Sequence, residues 1–354
     1  MKKHIIFYAI AFHLTAILPA SVSAAETPLL TGQPDNQNTA ASEAVSPPVY
    51  LSELTNINDY GVFANGGWDG SWYAGYNVCW MEKLPKPPEG SYSKVYIGAK
   101  LGRMKTRPVA GKPVWEREPI PGEIYMAISS TPAWKSNQKY FLVSSADIPL
   151  EGDMENALEG VGESRWFWAE VPLSAVNFNG PNFVSLWSPT EYFVSTASAP
   201  VLAGGWGSQE VNTWMNNDIK GYPPINPATS LKTAITVFEP AIAVKLVPQG
   251  SEREIKVQIT QVLEGRKKTS NKTFAAEITG SEIEKAWLEY SLDNKAWQKI
   301  GRYVYGTPYM FTLKADALPV GKVSVRCAAQ DAWGNKGFSA EIALGVSKQE
   351  ENKK

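Results

Sequence analysis

Tryptophan set among glycines is the chemistry-bearing pattern of this 354-residue sequence. Ten of its 13 tryptophans fall between Val49 and Glu239: Trp68, Trp72, Trp80, Trp115, Trp134, Trp166, Trp168, Trp187, Trp206 and Trp214. An indole is large and polar-tipped, so it is not the simplest core filler. Its flat face stacks on the C–H face of a sugar ring while neighbouring polar groups bond the hydroxyls. The stretch NGGWDGSWY, from Asn65 to Tyr73, puts Trp68, Asp69, Trp72 and Tyr73 on a loop freed by Gly66, Gly67 and Gly70. The stretch GGWG, from Gly204 to Gly207, carries Trp206 and is followed by Trp214, Asn216, Asn217 and Asp218. Trp68, Asp69, Trp72, Tyr73, Trp206 and Trp214 are therefore the candidate ligand-binding residues. The competing reading makes each stretch a glycine turn capped by core tryptophan. Trp166 and Trp168, on one face of a strand, read as core.

Acid–base chemistry falls to carboxylates. Residues 1–24 have a basic start, an apolar run and a Val-Ser-Ala ending, which predicts a secretory signal peptide cleaved after Ala24. His4 and His13 both lie inside it, and the sequence has no other histidine. Mechanisms that need imidazole are thereby excluded from the processed chain: Ser-His-Asp and Cys-His hydrolysis, and His-ligated zinc. Glu116 and Glu118 flank Arg117, and Glu151, Asp153, Glu155 and Glu159 cluster further on, while Asp69 and Glu163 are better placed for a pocket. A glycosidase needs two carboxyl groups about 5–10 Å apart across the scissile bond, and neither cluster sits in the glycine loops. Oxygens of Asp69, Asn65 and Asn77 would suit calcium, but their spacing is not that of a calcium loop. No other cofactor is expected, and there is no phosphate loop, dinucleotide fingerprint, CxxC pair or zincin motif. Cys79 and Cys327 are the two thiols. Cys327 shares an apolar strand face and reads as a small core residue; whether it pairs with Cys79 is not legible from spacing.

The elements that must position these residues are strands. WYAGYNVCWMEKL, YSKVYIGAKLG, GEIYMAISS, KYFLVSS, RWFWAEVPL, NFVSLWS and KTAITVF alternate apolar with polar residues and are separated by Pro- and Gly-rich loops. Val95, Ile97, Ala99 and Leu101 share a face, as do Ile124, Met126 and Ile128. Helical periodicity is limited to two short candidates, at 151–160 and 209–218. Residues 49–239 are expected to form one all-β domain, a jelly-roll-like sandwich, with a boundary at Phe238-Glu239-Pro240. A polar linker at 25–48 precedes it and a polar tail at 348–354 closes the sequence; both are expected to be disordered.

Residues 240–347 read as a second, smaller sandwich. Leu288 and Tyr290 share one strand face; Tyr309, Phe311 and Leu313 another; Val323, Val325, Cys327 and Ala329 a third. The succession SLDNKAW from Ser291, then PYMFTLKADALPVGKVSVRCAAQDAWGNKGFS from Pro308 to Ser339, resembles the second half of bacterial immunoglobulin-like domains of secreted and surface proteins. That resemblance implies an immunoglobulin-like β-sandwich in which Asp331, Gly334 and Asn335 form a tight turn between strands. Trp333 departs from the small residue usual there, and Val323 from a common aromatic. Trp333 is either a lid on the sandwich end or part of a contact surface.

Charge divides between the halves. Residues 25–240 carry 14 Lys+Arg against 22 Asp+Glu, a net of −8, and residues 241–354 carry 18 against 13, a net of +5. The acidic half argues against nucleic-acid partners. The run Arg266-Lys267-Lys268 followed by Lys272 reads as a solvated loop or an anionic surface contact. Beyond residues 1–24 no apolar run is long enough to span a membrane. The expectation is a secreted or periplasmic, cell-surface protein that binds polysaccharide or another envelope polymer without catalysis. A structural or adhesive module binding an envelope protein, and a carboxylate-dependent glycan-degrading enzyme, are the alternatives.

Overall fold

The alternation of apolar residues decides which strand faces are buried. The computed structural model describes residues 45–354 apart from 62–71, 135–137, 152–163, 208–209, 219, 222–232, 236–237, 265–270, 315–316 and 347–354. Strands dominate it, and the helical elements among the described residues are single 3-10 turns at Ile57–Asp59, Ser145–Asp147 and Leu173–Ala175. No described helix is long and apolar enough to cross a membrane.

The described residues form two β-sandwiches, each with its own core. In the first, one sheet has the order Val49–Leu51, Ile242–Pro248, Tyr92–Gly102, Val201–Leu202, with Ser164–Val171 also paired to Tyr92–Gly102. The facing sheet runs Thr233–Ile235, Thr213–Asn216, Cys79–Leu84, Asn182–Trp187, Glu123–Ser129, Lys139–Ser144. Val95, Ile97, Ala99 and Leu101 point inward from one sheet, and Ile124, Met126 and Ile128 from the other, all fully buried. Each such aliphatic side chain removed from water contributes about 1.5–3 kcal/mol before the entropy of ordering it. Cys79 lies on the outer face of the second sheet, buried with Met81 and Ala127 beneath Trp134 and Trp187.

Two expectations are corrected here. The stretch at 209–218 is not helical: Thr213–Asn216 is a strand in register with Cys79–Glu82. Cross-strand pairing with an already buried neighbour outweighs the weak local helical pattern. The boundary at Glu239-Pro240 also moves, because Ile242–Pro248 pairs with Tyr92–Ala99 on one side and Val49–Leu51 on the other. Its Ile242, Val244 and Leu246 fill the first core while Ala243, Lys245 and Val247 are buried on the opposite face. A strand covered on both faces reads as a continuous apolar run, and such a run does not say which sandwich it joins.

The second sandwich packs Lys256–Glu264, Lys272–Thr279 and Tyr309–Leu313 against a sheet of Gln298–Val304, Ile283–Ser291 and Gly321–Asp331, the last also pairing Lys336–Phe338 and Ile342–Val346. Leu288, Tyr309, Phe311, Leu313, Val323, Val325, Cys327 and Ala329 meet in its core, as their alternation indicates. Both cysteines are free and buried, in separate cores. At the Asp331–Asn335 turn the Asp331 carboxylate accepts from the backbone N–H of Trp333 at 3.0 Å and of Asn335 at 2.8 Å. Gly334 takes φ +74 there, with Tyr96 so close that a Cβ would lie 1.9 Å from its hydroxyl oxygen. Trp333 is buried at the junction of the sandwiches, among Tyr96, Trp168 and Val247 of the first. Its indole N–H donates to Ser46 O at 2.9 Å, and the Arg253 guanidinium lies 4.6 Å from its ring centre. The lid and the contact surface are thus one side chain. Polar contacts finish the junction: Lys299 to Asp147 at 2.8 Å, Arg302 to Ile148 O at 3.1 Å and Lys94 to Gly334 O at 3.1 Å.

Candidate ligand-binding site

The outer face of the first sheet carries the aromatic floor of a cleft between the sandwiches. Along Tyr92–Gly102 the residues alternate with the core set, so Tyr96, Gly98 and Lys100 point outward. Gly98 stands opposite Trp168, and Lys100 opposite Trp166. A Cβ at residue 98 would fall 2.2 Å from Trp168 Cε3 and 2.6 Å from Phe167 O. Glycine at this position lets the Trp168 indole lie down on the strand backbone. Trp166 and Trp168 are two apart on the same face, and their rings stack 5.1 Å apart at 12°. Tyr60 meets Trp166 edge-on at 5.7 Å, and Tyr50 meets Trp168 at 5.8 Å.

Cations hold this floor in place. The Lys245 ammonium is 1% exposed, sits 4.7 Å from the Trp168 ring centre and 4.8 Å from that of Tyr96, and pairs with Glu284 of the second sandwich at 3.2 Å. Burial pulls its pKa down and the Glu284 carboxylate opposes that. Above the indoles a cavity of about 270 Å³ is lined by Lys100, Ser164, Arg165, Trp166 and Trp168 from the first sandwich and by Glu284 and Tyr305 from the second. The Arg165 guanidinium lies 4.3 Å from the Tyr305 ring centre. Trp166 Nε1 and the Tyr305 hydroxyl are buried without a hydrogen-bond partner. Burial, and then the nearby Asp147 charge, push the Tyr305 hydroxyl well above its usual pKa, so it stays protonated. Buried polar atoms are normally paired, and two unpaired ones lining a single cavity mark a place for a ligand or ordered water to complete them.

The glycine-loop residues fare differently. Trp68 and Asp69 lie outside the described residues. Trp72 is 4% exposed and packs on Trp80 at 4.7 Å, so its place as a ligand-stacking residue is corrected to core. Tyr73 is half-buried, and the one proton of its hydroxyl is shared between Val194 O at 2.9 Å and Asn77 Oδ1 at 3.0 Å. That second bond engages an oxygen that the calcium reading would need. Trp206 is 74% exposed on Gly204–Trp206, opposite Phe238, while Trp214 is half-buried on Thr213–Asn216, in a different sheet. Among the described residues no group of three or more His, Cys, Asp and Glu side chains is placed to hold a metal ion.

Beside the Gly204–Trp206 strand lies an acidic pair that the sequence did not single out. Glu82 and Glu239 are both fully buried. Glu239 Oε2 accepts from the Thr213 hydroxyl and Glu82 Oε1 from the Glu53 N–H at 3.3 Å, while Glu82 Oε2 and Glu239 Oε1 have no partner. Burial first, and for Glu82 the neighbouring Glu239 charge second, raise both carboxyl groups; Glu239 is pushed up to about 7. A carboxyl that keeps its proton near neutrality can act as a general acid only where substrate reaches it. These two are closed off from solvent, so their geometry favours a structural role.

Trp166 and Trp168, which read as core, are half-buried and packed against small buried clusters; that they also border a cavity was not anticipated. The signal was Gly98, a glycine inside an otherwise apolar strand, which marks a close approach. Tyr305 and Glu284 gave no signal, since only the docking of the second sandwich brings them to the cleft.

No protein-family model matches the chain, and no curated protein matches it. Among solved structures, the crystal structure of a β-1,2-glucanase from Parabacteroides distasonis aligns with 82% of this chain and 39% of its own at 12% identity, with a TM-score of 0.24. The chain spans about two fifths of that protein's length, and a likeness of that score does not establish a common fold.

Proposed function

We propose that this protein binds a polysaccharide, without catalysis, in the cleft between its sandwiches. One observation carries the reading: two parallel, mutually stacked, half-buried indoles border a cavity whose walls present unpartnered polar atoms. Stacking on Trp166 and Trp168 supplies the apolar part of recognition, and Trp166 Nε1, Tyr305 and the flanking charged groups supply direction. The fully buried state of Glu82 and Glu239 favours binding over hydrolysis. The same reading takes the first sandwich as jelly-roll-like and the second as an immunoglobulin-like module that closes one wall of the site. It places the protein outside the cytoplasm, on the strength of the basic and apolar character of residues 1–24.

The test is affinity electrophoresis of the protein through gels containing a panel of soluble polysaccharides. At least one should retard the wild type, and Trp168→Ala should weaken that retardation about tenfold or more, the cost of losing an aromatic stacking partner. Trp206→Ala, which leaves the cleft intact, should not. Equal retardation of wild type and Trp168→Ala by every polysaccharide would refute the assignment of the site.

A further inference from the structure

We infer that Glu82 and Glu239 form a pH-sensitive latch on the cleft. Protonated, the pair holds the indole floor in place through Tyr60; ionised, it lets the floor go. The effect on ligand affinity rests on the proposed polysaccharide site, whereas the effect on the indoles rests on the fold alone.

Strand pairing brings the two carboxyl groups together. Glu82 alternates with Trp80 and Leu84 of the first core and stands opposite Thr213, whose hydroxyl donates to Glu239 Oε2. Glu82 Oε2 and Glu239 Oε1 are buried without a partner, so neither group has the donors that a charge would need. A Cβ at Gly207 would fall 2.1 Å from Glu239 Cγ, so the chain after Trp206 closes over that side chain. Glu239 pairs with Gly205 in a ribbon of three residue pairs, Gly204–Trp206 with Phe238–Pro240, which is separate from the larger sheets. Tyr60 lies on the same ribbon. A Cβ at Gly205 would fall 2.4 Å from Leu54 Cδ1 and 3.5 Å from Tyr60 Cδ1, and the Gly204 N–H donates to Gly61 O at 3.1 Å. Fully buried, Tyr60 meets Trp166 edge-on, and its carbonyl accepts from the Lys100 ammonium of the cleft wall.

The surroundings of the pair are acidic. Burial, then the charges of Glu239 and Glu53, raises Glu82; burial, and after it the Glu53 charge, holds Glu239 at about 7. The Tyr60 hydroxyl, pushed up by burial and then by Glu82, stays neutral. The neighbouring strands Asn182–Trp187, Thr213–Asn216 and Gly204–Trp206 carry no charged side chain. Lys83 and Asp59, on the segments that hold Glu82 and Tyr60, are exposed, and Lys100 rests on the Tyr60 carbonyl. A carboxyl raised in this way favours the closed form at low pH, and that preference is lost as pH rises through about 7. Ionisation then sets like charges side by side in a dry site, and water reaches them only if the short ribbon lifts. Lifting it removes the Gly61 hydrogen bond and the packing of Tyr60, and with them the brace on Trp166 and Lys100. By reciprocity, a ligand that needs the ordered floor draws protons onto the pair.

The experiment uses residues 25–354, the variant Glu239→Gln, and the double variant that adds Glu82→Gln. Its first readout needs no ligand: near-ultraviolet circular dichroism from pH 5 to pH 9. Trp168→Ala marks the bands of the stacked pair, and the far-ultraviolet signal reports the overall fold. Expected is a reversible loss of those bands as pH passes from about 7 to about 8, at a constant far-ultraviolet signal. Glu239→Gln should move the loss upward by about one pH unit or more, and the double variant should abolish it. The second readout is calorimetric affinity for the polysaccharide that most retards the wild type. It should weaken about tenfold from pH 6 to pH 8 in the wild type and by less than about twofold in the double variant. Flat profiles in the wild type overturn the latch. An alkaline loss equally strong in the double variant comes from another group and overturns it too. If the double variant abolishes a spectral transition but no polysaccharide is retarded, the latch on the indoles stands and the polysaccharide reading fails. Polysaccharide binding with no pH dependence keeps that reading and removes the latch.

Discussion

Replacing Glu239 by glutamine should stabilise the protein at alkaline pH and flatten its pH profile. Glu239 is fully buried, and burial holds its carboxyl at about 7 against an ordinary 4.5. An acid whose folded pKa is raised keeps its proton in the folded state and gives it up readily once unfolded. Its contribution is therefore fully present below about 4.5 and is lost as pH rises towards 7. A difference of about 2.5 in pKa, at about 1.4 kcal/mol for each factor of ten, sets a ceiling of about 3.5 kcal/mol. Relaxation of the protein and entry of water around the charged form reduce the expected observable to about 2 kcal/mol. Glu82 is displaced in the same direction, by burial and then by the Glu239 charge, so removing the latter also relieves Glu82. The Thr213 hydroxyl can still donate to the carbonyl of a glutamine. The assay is urea denaturation followed by fluorescence at pH 5, 6, 7 and 8. Wild type should lose stability from pH 5 to pH 8 by more than Glu239→Gln does, and the variant should be the more stable at pH 8 by about 2 kcal/mol. Parallel profiles for the two proteins would show that Glu239 ionises at the same pH folded and unfolded, and would refute the reasoning.

Three further outcomes are expected. Gly98→Ala places a methyl 2.2 Å from Trp168 Cε3; overpacking should cost about 1–3 kcal/mol and abolish the near-ultraviolet circular dichroism of the stacked Trp166–Trp168 pair, whereas an unchanged spectrum would mean the indole has room. Trp333→Ala empties the junction and should cost about 3–5 kcal/mol, splitting thermal unfolding into two calorimetric transitions as the sandwiches uncouple; a single sharp transition would show that the polar contacts suffice. Cys79 and Cys327 are buried, which pushes both thiols up to about 12, so neither should react with a thiol reagent at pH 8 until the protein unfolds; stoichiometric labelling of the native state would contradict the burial.

Much of the fold was legible because period-two alternation reports burial directly. Val95 to Leu101, Ile124 to Ile128 and Val323 to Ala329 each turned the predicted face inward. Ownership of a strand was not legible. Ile242–Pro248 is apolar on both faces, and only long-range pairing with Tyr92–Ala99 assigns it to the first sandwich. The site was harder still. Exposure of an indole depends on what packs against it, so Trp72 in a glycine-rich stretch went to the core. Trp166 and Trp168 instead became a floor, because Gly98 lowers the strand beneath them and the second sandwich leaves a gap above. Composition pointed to aromatic recognition; placement had to come from tertiary structure.

The strand Ile242–Pro248 also imposes a schedule on synthesis. It lies between Val49–Leu51 and Tyr92–Gly102, so the first sheet is incomplete until the chain has grown past residue 248. Between the making of Gly102 and of Ile242, 140 residues must be added. At about 5–20 residues per second that is roughly 7–28 s during which an edge of the Tyr92–Gly102 strand has no partner. Unpaired apolar edges are templates for aggregation. A nascent chain of this protein therefore exposes that edge for longer than the length of its first core would suggest. A fragment ending at residue 240 would remain in that state permanently.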